Sequence, residues 1–426
     1  MALPDPVIVV PGITASYLRD QYPLPPEDVW TVLSHDFERA ALHPDDIRYE
    51  ASEPAVVRAG QVFEIAYREL ITELRHNLSP SADLPVPVYP FAYDWRQPLE
   101  KTELELAAFV DEVIARTAIT QHYARDGYRS RRTVNLVGHS MGGLVIAGYL
   151  GLPAASGRVK KVATLATPFR GSFEAIIKVT TGTSSLGGSA PSSREREAAR
   201  LTPALYYLIP DAIAGITIAP GLPQSMYDPG CWQSSIVATI AEYIRLHGTD
   251  PNGVAQQAET LFASLLGNAQ AHRQKLESLQ ISTAGLTARD WLCVVGVDCE
   301  TRVRVEVIRN ADGSADFRFH NKDRDNGWGK DAFTGDGTVP FSGAVPPFLA
   351  VDNLVCVTPD DFGYWEVQDR LTASVAGFHG ILPNMDMLHR LIVRHFTGAP
   401  DPHQNTWGRP APGVTNWQPP LPLRPK

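Results

Sequence analysis

Cysteine is scarce in this chain: Cys231, Cys293, Cys299 and Cys356 are the four present in 426 residues. Four is too few for a disulfide framework, and their spacing fits no zinc site. Cys293 and Cys299 are close enough in sequence to pair across a bend. The simpler expectation is four thiols in a reducing compartment. Positive charge is not in excess either. Lys and Arg number 38 against 47 Asp and Glu, a formal net charge of −9, so no nucleic-acid partner is expected. Long apolar runs are missing: no stretch approaches the roughly 18 residues of a membrane span, so membrane contact, if any, is peripheral. The opening MALPDPVIVVPG has no basic region and no small-residue cleavage site. It does not read as a signal peptide, which points to the cytoplasm and leaves signal-independent export open. A glycine-rich dinucleotide fingerprint and histidine pairs at helical spacing are also lacking, so no cofactor and no metal are expected. The oxygen-rich Asn321-Lys-Asp-Arg-Asp-Asn-Gly327 has its glycine out of place for a calcium loop, and its twelfth position is Ala332.

What remains is 44% hydrophobic, ample material for a large core. From residue 6 to 170 the apolar pattern alternates between strand and helix. Strands are expected at 6–10, 86–92, 133–137 and 159–165, although Pro85, Pro87 and Pro90 sit badly in a central strand. Helices are expected at 61–74, where Val62, Ala66, Leu70 and Leu74 share a face, and at 98–117, where Leu106, Phe109, Val110, Val113 and Ile114 form a stripe. Such alternation argues for an α/β fold with a mostly parallel central sheet and helices on both faces. Beyond residue 171 the strands give way to a Gly/Ser/Thr-rich stretch at 180–193 and helical pieces at 203–209, 236–246 and 255–279. No strand is legible among them. Strand character returns at 291–297 and 303–308, and a helix at 386–396 precedes Gly398, a plausible cap. The expected organisation is therefore a core of 1–171 and 286–398, an inserted helical cap of 172–285, and a proline-rich tail of 399–426. Trp407 and Trp417 are expected to lay that tail on the surface.

One short motif carries chemistry. The strand 133–137 runs into Gly138-His139-Ser140-Met141-Gly142-Gly143 and then into an apolar helix. A serine hydroxyl is a weak nucleophile and needs a base beside it. Placing it on a sharp strand-to-helix turn exposes its oxygen above a sheet, the arrangement of the α/β-hydrolase fold. Ser140 is thus the expected nucleophile, and His139 is expected to face away and pack. In that fold the acid and then the base follow in the chain. Gly335-Asp336-Gly337-Thr338-Val339-Pro340 and Gly377-Phe378-His379-Gly380 supply Asp336 and His379, both expected in loops. His389 is the rival base; Asp298 and Asp331 are rival acids. The oxyanion donors are expected to be the backbone N–H of Met141 and that of Ile13, beside Gly12 in Pro11-Gly12-Ile13-Thr14.

Four motifs then stand in order: VVPGITASYL (9–18), YDWR (93–96), GHSMGG (138–143) and GDGTVP (335–340). Together with ATPFRGS (166–172) and LTPALYYLIP (201–210), this set resembles the lecithin:cholesterol acyltransferase family, which also includes lysosomal phospholipase A2 and phospholipid:diacylglycerol acyltransferases. The resemblance spans roughly residues 6–397. It implies a Ser140, Asp336, His379 triad, oxyanion amides at Ile13 and Met141, and transfer of acyl chains from glycerolipids to water or an alcohol. Tyr93, Asp94, Trp95 and Arg96 read as site scaffolding, with Asp94 and Arg96 able to pair locally. Two further readings stay open: a small-ester, thioester or amide hydrolase without lipid preference, and a non-catalytic binding protein of the same fold. The second would ordinarily lack a triad member.

Overall fold

All four residues of the first strand, Val7–Val10 (β1), are buried, and their side chains divide between two cores. Ile8 and Val10 enter one; Val7 and Val9 enter the other. A strand covered on both faces requires this. The computed structural model describes residues 2–22, 24–41, 56–183, 191–211, 213, 215–319, 335–364, 366 and 377–426. The oxygen-rich loop 321–327, Asp331 and Ala332 lie outside them.

Along the chain, β1 is followed by Ser16–Asp20 (β2), Glu27–Trp30 (β3), Val57–Val62 (β4), Glu64–Leu78 (α1), Val88–Pro90 (β5) and Leu99–Ile119 (α2). Next come Val134–His139 (β6), Met141–Leu150 (α3), Val159–Leu165 (β7), Phe173–Thr181 (α4), Ser193–Leu201 (α5) and Ile216–Ile218 (β8). Then follow Ser234–His247 (α6), Val254–Glu277 (α7), Trp291–Gly296 (β9), Val305–Arg309 (β10), Ala315–Phe319 (β11), Val355–Val357 (β12), Phe378–Ile381 (α8) and Asp386–Thr397 (α9).

Six strands form the central sheet in the order β12-β9-β7-β6-β1-β5, and every neighbouring pair is parallel. Leu106, Val110 and Val113 of α2 pack on one face with α3, while Tyr67, Leu70 and Leu74 of α1 pack on the other with Leu388, Leu391 and Ile392 of α9. The fold is that of an α/β hydrolase.

Several elements differ from the sequence reading. Strand 86–92 shrinks to Val88–Pro90, and among the described residues it is an edge strand paired only with β1. An edge tolerates the missing N–H of proline, which resolves the conflict those prolines posed. The helix read at 61–74 begins later, at Glu64, and runs to Leu78. Val62 fits the helical stripe by spacing, but it ends β4, pairing with Ser16 of β2. The antiparallel sheet β3-β2-β4 was not legible, because its strands are short, β3 and β4 bury no regular face, and the pairings carry bulges. In the region read as purely helical, Ile216–Ile218 forms a strand parallel to β10, and β10 pairs with β11. Three residues are too few to show a period, and the pairing partner is remote in sequence.

Buried arginines bind the helical region together through backbone carbonyls. Arg200 donates to Val179, Thr180 and Ser235, and Arg273 to Phe169, Tyr207 and Ile209. Charge-assisted bonds of this kind satisfy carbonyls that would otherwise be buried unpaired. The tail closes the other sheet edge. Arg409 exchanges both backbone hydrogen bonds with Cys356 of β12, Trp417 Nε1 donates to Leu354 O at 2.8 Å, and Trp407 Nε1 donates to Asp361 Oδ1 at 2.8 Å. Cys293 and Cys299 form no disulfide with each other, and burial pushes Cys293 and Cys356 up to about 12. Among the described residues no helix is long and apolar enough to cross a membrane.

Candidate active site

The site is built where β6 hands over to α3. Ser140 stands between them with φ 53° and ψ −129°, a conformation that non-glycine residues rarely hold. The packing enforces it. Ser140 N donates to Leu165 O of β7 at 2.9 Å, and Gly143 N donates to Ser140 O at 3.0 Å. A side chain at Gly142 would collide with the carbonyl oxygens of Val10 and Pro11, so α3 can begin this close to β1 only with glycine there.

Asp336 and His379 arrive from elsewhere. Asp336 lies beside the bridge Gly335↔Pro340, with 1% of its surface exposed. Its Oδ1 accepts the N–H groups of Thr338 at 2.9 Å and Val339 at 2.7 Å. Its Oδ2 lies 2.7 Å from His379 Nδ1, and His379 Nε2 lies 2.9 Å from Ser140 Oγ. A carboxylate only accepts, so Nδ1 carries the proton and Nε2 is left to accept from the serine hydroxyl. His379 is the second residue of the short helix α8, which follows Gly377 at φ 93°, rather than part of the loop the sequence suggested. Ser140, Asp336 and His379, some 240 residues apart at the extremes, thus form one hydrogen-bonded line.

The rivals are placed otherwise. His389 is buried in α9 with Nε2 2.7 Å from Pro383 O, and burial lowers its pKa. Asp298 follows β9 with φ 67° and is not the carboxylate bound to His379. Asp331 is outside the described residues. Among the described residues no cluster of His, Cys, Asp and Glu could hold a metal ion.

The loop after β1 runs against the nucleophile, with Gly12 facing Ser140 and Ile13 in the cavity wall. Met141 is the first residue of α3, where N–H groups lack intrahelical partners. The YDWR segment supports this loop. Tyr93 donates to Pro11 O at 2.8 Å. Arg96 grips Asp94 through Nε at 2.8 Å and Nη2 at 2.7 Å, and reaches the carbonyls of Arg39 and Ala40. Burial pushes the Asp94 carboxyl up, but Arg96 and Gln97 more than offset this and hold it below the usual range. Trp95 is buried edge-on to Trp30, with ring centroids 4.8 Å apart, and of the four it is the one that lines the cavity.

That cavity, about 420 Å³, opens on Ser140 and His379. Its walls are mostly apolar or small: Trp30, Phe63, Ala175, Ala199, Leu205 and Leu208, with Glu174 and Lys178 at one side. His139, read from the sequence as packing, is buried and hydrogen-bonded at both ring nitrogens, one of them to Tyr67. Tyr67 was not singled out, because a tyrosine on an apolar helical stripe looks like core.

Comparisons with known proteins agree with this fold. A family model described as a PGAP1-like alpha/beta domain matches residues 99–179, the span from α2 through the serine turn to α4. A chain in the crystal structure of the Tle4–Tli4 complex is similar in fold, with TM-score 0.53 and 15% identity, the match covering 82% of this chain and 90% of that one. Among curated proteins none matches.

Proposed function

We propose that this protein is a serine esterase of the lipase type, cleaving or transferring the acyl group of a lipid ester through an acyl-Ser140 intermediate. The observation that carries this reading is the line Ser140–His379–Asp336, with Ser140 and His379 in the wall of an apolar cavity. His379 Nε2 takes the Ser140 proton as Oγ attacks the ester carbonyl. The tetrahedral oxyanion is held by the Ile13 and Met141 N–H groups, and the α3 N-terminus adds favourable potential. Asp336 holds the ring and stabilises the imidazolium. The intermediate then collapses, and His379 Nε2–H protonates the departing alcohol oxygen. Water or a second alcohol repeats the sequence in reverse, freeing an acid or a new ester. An apolar slot of this size suits an acyl chain better than a short polar acid. The ordered motifs favour a relation to the lecithin:cholesterol acyltransferase family.

The test is labelling by a fluorophosphonate probe, with Ser140→Ala as control, followed by incubation with a mixed lipid extract and mass spectrometry of released fatty acids and new esters. Labelling that persists in Ser140→Ala overturns the nucleophile. Activity confined to short acyl esters replaces the lipid reading with a small-ester hydrolase.

A further inference from the structure

We infer that Tyr67 and His139 are positioning residues that tie the oxyanion loop to the backbone of the catalytic histidine, an inference that rests on the roles proposed above for Ser140, His379 and Ile13. The hydrogen-bond chemistry allows one polarity. His139 Nε2 lies 2.9 Å from the carbonyl oxygen of His379. A carbonyl only accepts, so Nε2 carries the proton and Nδ1 is the acceptor. The group facing Nδ1 is the Tyr67 hydroxyl at 2.7 Å, which must donate. The Tyr67 oxygen then accepts the Gly12 N–H at 2.9 Å. The line runs Gly12 N–H to Tyr67 O–H to His139 Nδ1, and from His139 Nε2–H to His379 C=O.

Four separate segments meet in it: the loop after β1, α1, β6 and α8. Tyr67 is 0% and His139 4% exposed, so water does not compete for these bonds. Fixing the Gly12 N–H sets the plane of the Pro11–Gly12 peptide and so anchors the loop immediately before the peptide that carries the Ile13 N–H. Fixing the His379 carbonyl sets the pose of the ring whose Nε2 meets Ser140. His139 also precedes Ser140 in the chain, so the nucleophile is held from the same point. Burial, with the nearby His379 ring adding to it, lowers His139 to about 3. The two rings are 5.2 Å apart. A neutral His139 keeps its tautomer and does not oppose the positive charge His379 acquires during acyl transfer.

The relay predicts that Tyr67→Phe, which keeps the ring and removes the hydroxyl, lowers kcat for a long-chain p-nitrophenyl ester on the order of a hundredfold with KM little changed. Tyr123→Phe is the control, since it removes another buried hydroxyl, bonded to Pro4 O at 2.7 Å and remote from Ser140 in the fold. It is expected to keep wild-type kcat. Adding His139→Phe to Tyr67→Phe should cost little more than either alone, as for members of one unit. Nitrogen-15 NMR of the wild-type histidines should show His139 as the neutral Nε2–H tautomer across neutral pH, whether or not the protein turns over an ester. Wild-type kcat in folded Tyr67→Phe, a loss carried by KM alone, or an Nδ1–H tautomer overturns the inference. If wild-type Ser140 is not labelled by a fluorophosphonate, the functional reading fails and the catalytic part of the inference with it, while the tautomer still tests the relay.

Discussion

A side-chain carbon on Gly12 would lie 2.9 Å from Ser140 Cβ and 3.3 Å from Ser140 Oγ. The loop after β1 and the nucleophile are thus in contact, and there is no room between them for a methyl group. Gly12→Ala is therefore expected to displace the serine or the Ile13 N–H and lower kcat by about a hundredfold. Steady-state ester turnover beside a thermal melt checks this; full activity in the variant would mean that the loop yields.

The two histidines near the end of the chain should separate cleanly. His379→Ala is expected to lower turnover by about a thousandfold or more, as loss of a general base does. His389→Ala removes a buried bond to Pro383 O and should cost about 1–3 kcal/mol of stability, leaving the kcat of the folded enzyme close to wild type. Denaturant titration and kinetics on both variants test the pair. The opposite pattern would transfer the base to α9.

Ala199 shows how the cavity can be probed. It is small, 2% exposed and part of the cavity wall. Ala199→Phe fills the slot, so KM for long-chain esters should rise at least several-fold while short esters are spared. A chain-length series decides it: equal effects on all lengths would place the acyl chain elsewhere.

Stability should fall as pH falls below neutral. Burial, then Lys161, lowers His395 to about 4, and burial, then His379, lowers His139 to about 3. Asp290 also faces His395. Each ring is neutral in the fold, whereas the unfolded chain takes up a proton near pH ~6.5. The unfolded state therefore binds more protons between about pH 6.5 and about pH 4, and unfolding is favoured there by about 1.4 kcal/mol per pH unit for each ring. Asp94 and Asp361 are held below the usual carboxylate range, so their contributions are lost only at lower pH. Urea titrations across this window should show the slope. His395→Gln should remove part of it, and curves parallel to wild type would contradict the assignment.

Asp361 anchors the tail. Its carboxylate receives Arg409, Lys426 Nζ at 2.9 Å, Trp407 Nε1 at 2.8 Å and the Thr358 N–H at 2.9 Å. Asp361→Ala leaves two cations and an indole N–H without their acceptor, at a cost of about 3 kcal/mol. Limited proteolysis should then cut within residues 399–426 earlier than in wild type. An unchanged digestion pattern would mean that Trp417 and the Arg409–Cys356 pairing suffice.

Long periodic elements were the legible part of this fold. The stripe of α2 and the strand β7 appear within two residues of their sequence limits, because the α2 pattern repeats over several turns and β7 runs into a buried Val-Ala-Thr-Leu stretch after its two lysines. The sheet β3-β2-β4 and the strand Ile216–Ile218 were not legible. Their strands are short and their partners are distant in sequence, so nothing local distinguishes them from loop. The edge prolines show the opposite case: Pro87 and Pro90 flagged β5 as unusual, and pairing on one side alone is the reason.

By itself the sequence determined the alternating α/β order and a serine on a strand-to-helix turn, since both are written in consecutive residues. It also nominated Asp336 and His379, through loop motifs that local chemistry could equally use as turns. Only the tertiary structure decided that these two meet Ser140, that His379 rides on a helix, and that His139 and Tyr67 share a hydrogen-bonded line with Gly12. Hydrogen bonds of this kind depend on distances of about 3 Å and on which lone pair faces which proton. Residues far apart in the chain acquire that relation only when the sheet brings their loops together.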